Sequence, residues 1–421
     1  MLSKAKGLSS LACAVAALAL APPVAAQDVS SFQLTRDIRE AAQQAQTAIG
    51  AGNFPAASAA LNQAAAQIRT DSDRFVIARL QLDIANRTFN TAAQVAAINA
   101  LLASPLLPAD QAADLYYHRA RISYHLQNVE AARADLQAAI DRGTSNPRIF
   151  IAMSSLLSDR SDNAGALAMF DRALAIHQTA GIATPADWYR RAIHFAQQTG
   201  QQPRVLQLGQ MMVAAYPTRR NWRDVAIEHR AAYAADPGSI MDLWRLQAAA
   251  GALTGEFDYR DYARAAHAVG LPSEIERIVQ AGRAANILDG GNSEIATLDR
   301  GTTRAAEALR NGLPARAQAA ASAATGENAM AAANDYLSLG GYDGAAPLYR
   351  TALEKGSVDA ELANLRLGIA LAMSGDAQGA RAALDLVTGP RASVARLWRA
   401  YVDTRPAPAA APVAAPADPA S

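Results

Sequence analysis

Six histidines are the side chains best suited to metal or proton chemistry in this sequence: His118, His125, His177, His194, His229 and His267. None stands in an HExxH pattern or beside a second His at i, i+4, and Cys13, the single cysteine, offers neither a thiolate set nor a disulfide. His118 and His125 are seven apart and can share a helix face, but no acid stands at a suitable neighbouring turn. The run Asp159-Arg160-Ser161-Asp162-Asn163 lacks the closing Glu of a calcium loop and reads as an inter-helix turn. Gly-x-Ser-x-Gly and the phosphate-cradling Gly-x-x-x-x-Gly-Lys are both missing, and Gly50-Ala51-Gly52, followed by Pro55, is a tight turn. The acidic pairs Asp258/Asp261 and Glu274/Glu276, next to Arg260 and Arg277, read as solvated charges on helix surfaces. The residues therefore imply no catalytic group, no metal and no cofactor.

The elements that carry these residues are helical by composition. Of 421 residues 104 are alanine, 51% are hydrophobic, 6% aromatic and 18% charged, which excludes a β-rich fold. Thirty-nine Lys+Arg against thirty-eight Asp+Glu leave +1, too little basic excess to grip a nucleic-acid backbone. Residues 1–26 read as a secretory signal: Lys4 and Lys6, the apolar run Leu11 to Ala21, then Val24-Ala25-Ala26 with cleavage after Ala26. As a helix that run rises about 16 Å, roughly half the hydrocarbon thickness, and no other segment is apolar enough to span a membrane. Cleavage would remove Cys13 and leave a thiol-free chain of charge −1 with one lysine, Lys355, suited to a periplasmic or otherwise exported location. Residues 404–421, nearly all Pro and Ala, read as a disordered tail.

Between leader and tail the chain repeats itself. A turn containing Gly, Asn or Asp is followed by a small residue, a bulkier apolar one four later and an alanine three after that. The series includes Ala57/Leu61/Ala64, Ala132/Leu136/Ala139, Ala166/Phe170/Ala173, Ala345/Tyr349/Ala352 and Ala380/Leu384. With Ala93, Val205, Met241 and Ile275 added, first members stand 34 to 39 residues apart, with one double interval of 70. Such spacing is the mark of stacked helical hairpins, in which small residues let paired helices approach closely. Upstream stripes (Tyr116/Ala120/Tyr124, Phe150/Ser154/Leu157, Leu365/Gly368/Leu371) supply the first helix of a pair. Residues 286–328 fit least well, with an Ala-rich helix from about Ser293 to Leu309, and Arg391 to Val402 reads as a final helix covering the last hairpin, its arginines facing water.

On these residues the chain resembles a tetratricopeptide-repeat protein of the exported bacterial type over roughly residues 33–390. Leu367-Gly368, Leu371, Ala380 and Leu384 match one unit of the family pattern, and Phe150, Ala166, Phe170 and Ala173 another. The resemblance implies an all-α superhelical stack of antiparallel hairpins: N-terminal repeats over 33–217, degenerate repeats over 218–328, and C-terminal repeats with a capping helix over 329–403. It also implies that Tyr117, Arg121, Tyr124, His125, Arg190, His194 and Gln197, on first helices, face a concave groove that holds a protein or peptide partner. Trp188, Trp222, Trp244 and Trp398 read as inter-repeat core. The expected function is an exported, non-catalytic scaffold, since exported relatives help assemble envelope complexes or polysaccharide secretion machinery; the lysine carboxylate clamp of chaperone-binding relatives is excluded for want of lysines. A small-ligand receptor or envelope enzyme with a site between repeats, around Trp222 to Asp289, and a spacer that oligomerises through its ends are the alternatives.

Overall fold

Alanine-rich second helices and short turns, several of them capped by Asn or Asp, build the hairpins. The computed structural model describes residues 32–288, 291 and 293–405, so the expected leader and most of the expected tail lie outside the described residues. The chain divides into two compact units, Met1–Arg160 and Ser161–Ser421, and no strand occurs among the described residues.

The N-terminal unit contains α1 (Arg36–Gly50), α2 (Phe54–Ala64), α3 (Asp71–Arg87), α4 (Thr91–Leu102), α5 (Ala109–His125), α6 (Val129–Asp141) and α7 (Pro147–Asp159). The C-terminal unit runs from α8 (Asn163–Thr179), α9 (Ala186–Gln198), α10 (Gln202–Ala215), α11 (Arg219–Ala232), α12 (Pro237–Ala249), α13 (Glu256–Ala268) and α14 (Pro272–Ala284) to α15 (Ser293–Leu298) and α16 (Thr302–Ser322). It ends with α17 (Glu327–Ser338), α18 (Tyr342–Lys355), α19 (Ala360–Ser374), α20 (Ala377–Asp385) and α21 (Ala392–Thr404). Helices pair as hairpins: α1/α2, α3/α4 and α5/α6 in the first unit; α9/α10, α11/α12, α13/α14, α17/α18 and α19/α20 in the second.

Each first member of the sequence series falls on an even-numbered helix, and the double interval passes over α16, which packs between α14 and α17. The small residues are contact points: Ala57, Leu61 and Ala64 of α2 are buried in one core with Ile38, Ala42 and Ala45 of α1. In α19 the approach is closer still. A Cβ on Gly368 would lie 2.5 Å from the Leu384 side chain of α20, so only glycine allows that spacing. The irregular stretch is a short α15 separated from α16 by Gly301 at φ +77°, and α16 carries Pro314 inside it.

One turn design recurs. A residue one or two beyond the first helix takes a positive φ, and the next residue donates its N–H back to that helix while its side chain caps the second one. Asn53, Asn90, Asn128 and Asp376 donate to the carbonyls of Ala48, Ala85, Ser123 and Leu371 at 2.8–3.0 Å, and their side chains accept from the N–H of Ala56, Ala93, Ala131 and Gly379. The positive-φ position is glycine at Gly52 and Gly375 but Phe89 (+53°) and Gln127 (+61°) in the second and third hairpins. An L side chain there costs about 1–2 kcal/mol, and the Phe89 ring is 77% exposed, so it recovers little by packing. Phe89→Gly should stabilise the N-terminal unit by about 0.5–1 kcal/mol after allowing for glycine's greater unfolded-state freedom; a lower urea midpoint would show that the ring packs in solution.

The final helix departs from expectation. Ala392, Val394, Ala395, Leu397, Trp398, Tyr401 and Val402 of α21 are all buried, a face too broad for one hairpin to cover. α21 therefore packs on α19 and α20 and also on α10 and α12, so the C-terminal unit returns upon its own middle repeats. Trp398 Nε1–H donates to the Asp242 carbonyl (3.1 Å), Tyr401 hydroxyl to that of Ala249 (3.2 Å), and Gln210 to Ser393 Oγ (2.7 Å). Nor do all the arginines face water: Arg391, one-fifth exposed, lies 3.4 Å from Asp236 and 2.8 Å from Asp359.

Candidate functional site

On α5, Tyr117, Arg121, Tyr124 and His125 stand at i, i+4, i+7 and i+8, one face of the helix. Arg121 and His125 are exposed and the two tyrosines half-buried. The Arg121 guanidinium lies 6.0 Å from the Tyr117 ring centroid. Burial raises the Tyr117 hydroxyl pKa, opposed by the charges of Arg121 and of Arg148 on α7. Burial also lowers the His118 pKa, as does Arg121. Tyr124 is raised by burial and by Asp159. Neither Arg121 nor Arg148 pairs with a carboxylate among the described residues, and the same is true of Arg79, half-buried on α3 with its guanidinium 5.9 Å from the Phe75 ring. The contrast on the same helix is Arg119, whose two nitrogens donate to Asp135 of α6 at 2.9 and 2.5 Å.

Arg190, His194 and Gln197 share one exposed stripe of α9, at i, i+4 and i+7. Gln197 donates to Glu228 Oε1 of α11 at 2.8 Å, while Arg190 has no carboxylate partner among the described residues. Four of the seven expected groove residues thus belong to the N-terminal unit and three to the C-terminal one. Trp222, Trp244 and Trp398 are buried; Trp188, half-buried, lies 4.5 Å from the His177 ring.

The densest polar arrangement was misread from sequence. Glu274, Glu276 and Asp258 are not solvated surface charges: all three are buried, and only Asp261 of the two acidic pairs stays at the surface. Arg245 of α12 forks onto Glu274 of α14 (Nε–Oε1 3.0 Å, Nη2–Oε2 2.6 Å) and reaches Asp242 Oδ1 at 2.7 Å. Tyr262 of α13 donates to Glu274 Oε1 at 2.5 Å and Arg277 Nη2 does so at 3.1 Å. Arg366 of α19 lies 3.4 Å from Asp242 Oδ2. Burial works against a charged Glu274, but the Arg245 charge and hydrogen bonds, joined by Arg277, outweigh it and hold the carboxyl below its usual range. Asp242 and Arg245 do interrupt the otherwise apolar run Ile240–Leu246, a local cue that they enter the core, but nothing local names their partners.

Beside this network lies a cavity of about 510 Å³, walled by Leu253, Ile278, Ile369, Met373 and Trp398 and reached by Arg219, Arg277 and Tyr342. Among the described residues no cluster of three or more His, Cys, Asp or Glu could hold a metal ion, and no helix is long and apolar enough to cross a membrane.

Solved structures similar to this chain include tetratricopeptide and pentatricopeptide repeat proteins. The TPR2AB domain of yeast Sti1 in its pHSP90 complex is 12% identical, with 70% of this chain and 99% of that one covered and a TM-score of 0.24. The TPR domain of P58(IPK) is 10% identical, covering 87% and 97%, TM-score 0.24. The maize pentatricopeptide repeat protein PPR10 is 13% identical, covering 89% and 64%, TM-score 0.28. No protein-family model matches the sequence, and no curated protein matches it.

Proposed function

We propose that the chain is an exported, non-catalytic scaffold that holds an acidic protein or peptide against the first helices of its hairpins, in the assembly of an envelope complex or a polysaccharide secretion machine. The observation that carries the reading is the pair Arg121 and Arg148, uncompensated by any carboxylate among the described residues, with the Arg121 guanidinium 6.0 Å from the half-buried Tyr117 ring. Arginine and tyrosine give the most per contact in an interface, through planar donors and large rigid area, and an unpaired guanidinium is open to a partner's carboxylate. The stripe on α9 with its unpaired Arg190 supports the same reading for the C-terminal unit. Export rests on the leader-like Lys4–Ala26 segment.

The test is affinity capture from native envelope extract with the wild type, Arg121→Glu and Arg190→Glu. A specific protein recovered by the wild type should bind the Arg121→Glu chain about thirty-fold more weakly, the loss of about 2 kcal/mol usual for an interface arginine, with helicity by circular dichroism unchanged. Recovery indifferent to both reversals would remove the site from these faces. N-terminal sequencing of the mature protein tests export, with Gln27 expected first.

A further inference from the structure

We propose that the C-terminal unit binds a small amphiphilic anion, a carboxylate or phosphate head on an apolar body, in the cavity between α12, α14 and the returning α19 and α21. This site goes beyond the scaffold reading and does not depend on it.

Size, walls and charge converge on that ligand class. About 510 Å³ lies within the roughly 300–1,000 Å³ of ordinary small-molecule sites, and the walls are mostly apolar, with Ile278, Leu253, Ile369 and Met373 among them. The polar groups at its edge are donors in excess. Three guanidiniums, Arg245, Arg277 and Arg366, share two carboxylates, Asp242 and Glu274, so the network at the cavity wall carries a net charge of +1. Arg245 is saturated, but Arg277 is not. One of its nitrogens serves Glu274, whereas its Nε is buried without a hydrogen-bond partner, and the side chain keeps 31% exposure where it lines the cavity. A buried donor left unpaired beside a cavity is open to an acceptor that enters it.

Two further donors stand beside it. Arg219, at the start of α11, lines the same cavity and pairs with no carboxylate among the described residues. The Tyr342 hydroxyl, also at the cavity, has no hydrogen-bond partner among the described residues. Arg219, the free Nε of Arg277 and the Tyr342 hydroxyl, donors without acceptors among the described residues, stand beside an apolar chamber; they exclude a cationic ligand and favour an anionic head, held by charge-assisted hydrogen bonds, with its tail on Ile278, Ile369 and Met373.

Isothermal titration of the full chain with octanoate and with octyl phosphate, against 1-octanol and octylamine, tests the site. One-site saturable binding of either anion is expected, with the tighter of the two identifying the head group, and 1-octanol and octylamine at least ten-fold weaker. Arg277→Gln should abolish binding. Because it also strips a partner from Glu274, Arg219→Ala and Tyr342→Phe, which break no interaction within the fold, are the decisive variants, with about ten-fold and several-fold losses expected. Ala281→Phe, at an exposed α14 position lining the cavity, should block it. Binding of neither anion, equal binding of 1-octanol, or affinities unchanged in Arg219→Ala, Tyr342→Phe and Ala281→Phe would each overturn the assignment. Partner capture through Arg121 is unaffected by Arg219→Ala if both readings hold, so either can fail alone.

Discussion

The Glu274→Ala protein is expected to lose about 3–5 kcal/mol of stability in its C-terminal unit, the usual penalty for removing one partner of a buried ion pair. The reason is arithmetic of charge as much as lost bonds. Glu274 is fully buried and accepts from Arg245 twice, from Arg277 and from Tyr262, so its removal leaves Arg245 with Asp242 alone and takes the carboxylate acceptor from Arg277 and Tyr262. Glu274→Gln keeps the volume and some hydrogen bonds but leaves the positive charges uncompensated, and it should fall between the wild type and the alanine variant. The four tryptophans, Trp188, Trp222, Trp244 and Trp398, all belong to this unit, so urea unfolding followed by tryptophan fluorescence reads it separately from the N-terminal one. The sign of the pH dependence follows from the lowered carboxyl pKa. The contribution is present in full above the ordinary value of 4.5 and is lost as the pH falls past it through the lower folded value. A Glu274→Ala midpoint within error of the wild type would mean that the network is solvated in solution.

Trp398→Ala is expected to cost about 3–5 kcal/mol and to release α21 from the middle repeats. Trp398 is wholly buried, its Nε1–H donates to the Asp242 carbonyl, and its ring meets Tyr401 edge-on at 5.6 Å, which in turn meets Trp222 at 6.2 Å. The loss combines the buried area of a large ring, a cavity, and the indole hydrogen bond to the Asp242 carbonyl of α12. Trp398→Phe should cost roughly half as much. Arg399→Ala, which breaks only half-exposed pairs to Asp385 and Asp403, should cost under about 1 kcal/mol. Limited proteolysis makes the structural claim directly: α21 should be protected in the wild type and cut early in Trp398→Ala. Equal protection in both would show that the return of α21 does not depend on this ring.

How much could be read in advance differs by element. The alanine series located the second helix of almost every hairpin, because close helix approach demands small residues at fixed phase and that demand is written locally. The turns were legible for the same reason: Asn53, Asn90, Asn128 and Asp376 cap the helix that follows them. The candidate surface was legible only as a list of positions. Sequence could place Tyr117 and Arg121 on one helix face, but the lack of a carboxylate partner for Arg121 and Arg148 among the described residues depends on which side chains the stack brings near them. The buried network was misread, since in an isolated α14 the acids Glu274 and Glu276 look amphipathic. Only with Arg245, twenty-nine residues away on α12, does Glu274 become a core residue.

The sequence by itself determined that the chain is helical, where its helices pair and where they turn, since helix propensity, small-residue spacing and capping act over a few residues. The tertiary structure alone decided that α21 turns back onto α10 and α12, that three arginines meet two carboxylates inside the C-terminal unit, and that a chamber with unpaired donors opens beside them. Those facts come from contacts between residues more than a hundred positions apart, such as Asp242 with Arg366 and Trp398. Such contacts form because a broad apolar helix face must be buried somewhere, and the surface that buries it leaves no local period in the chain.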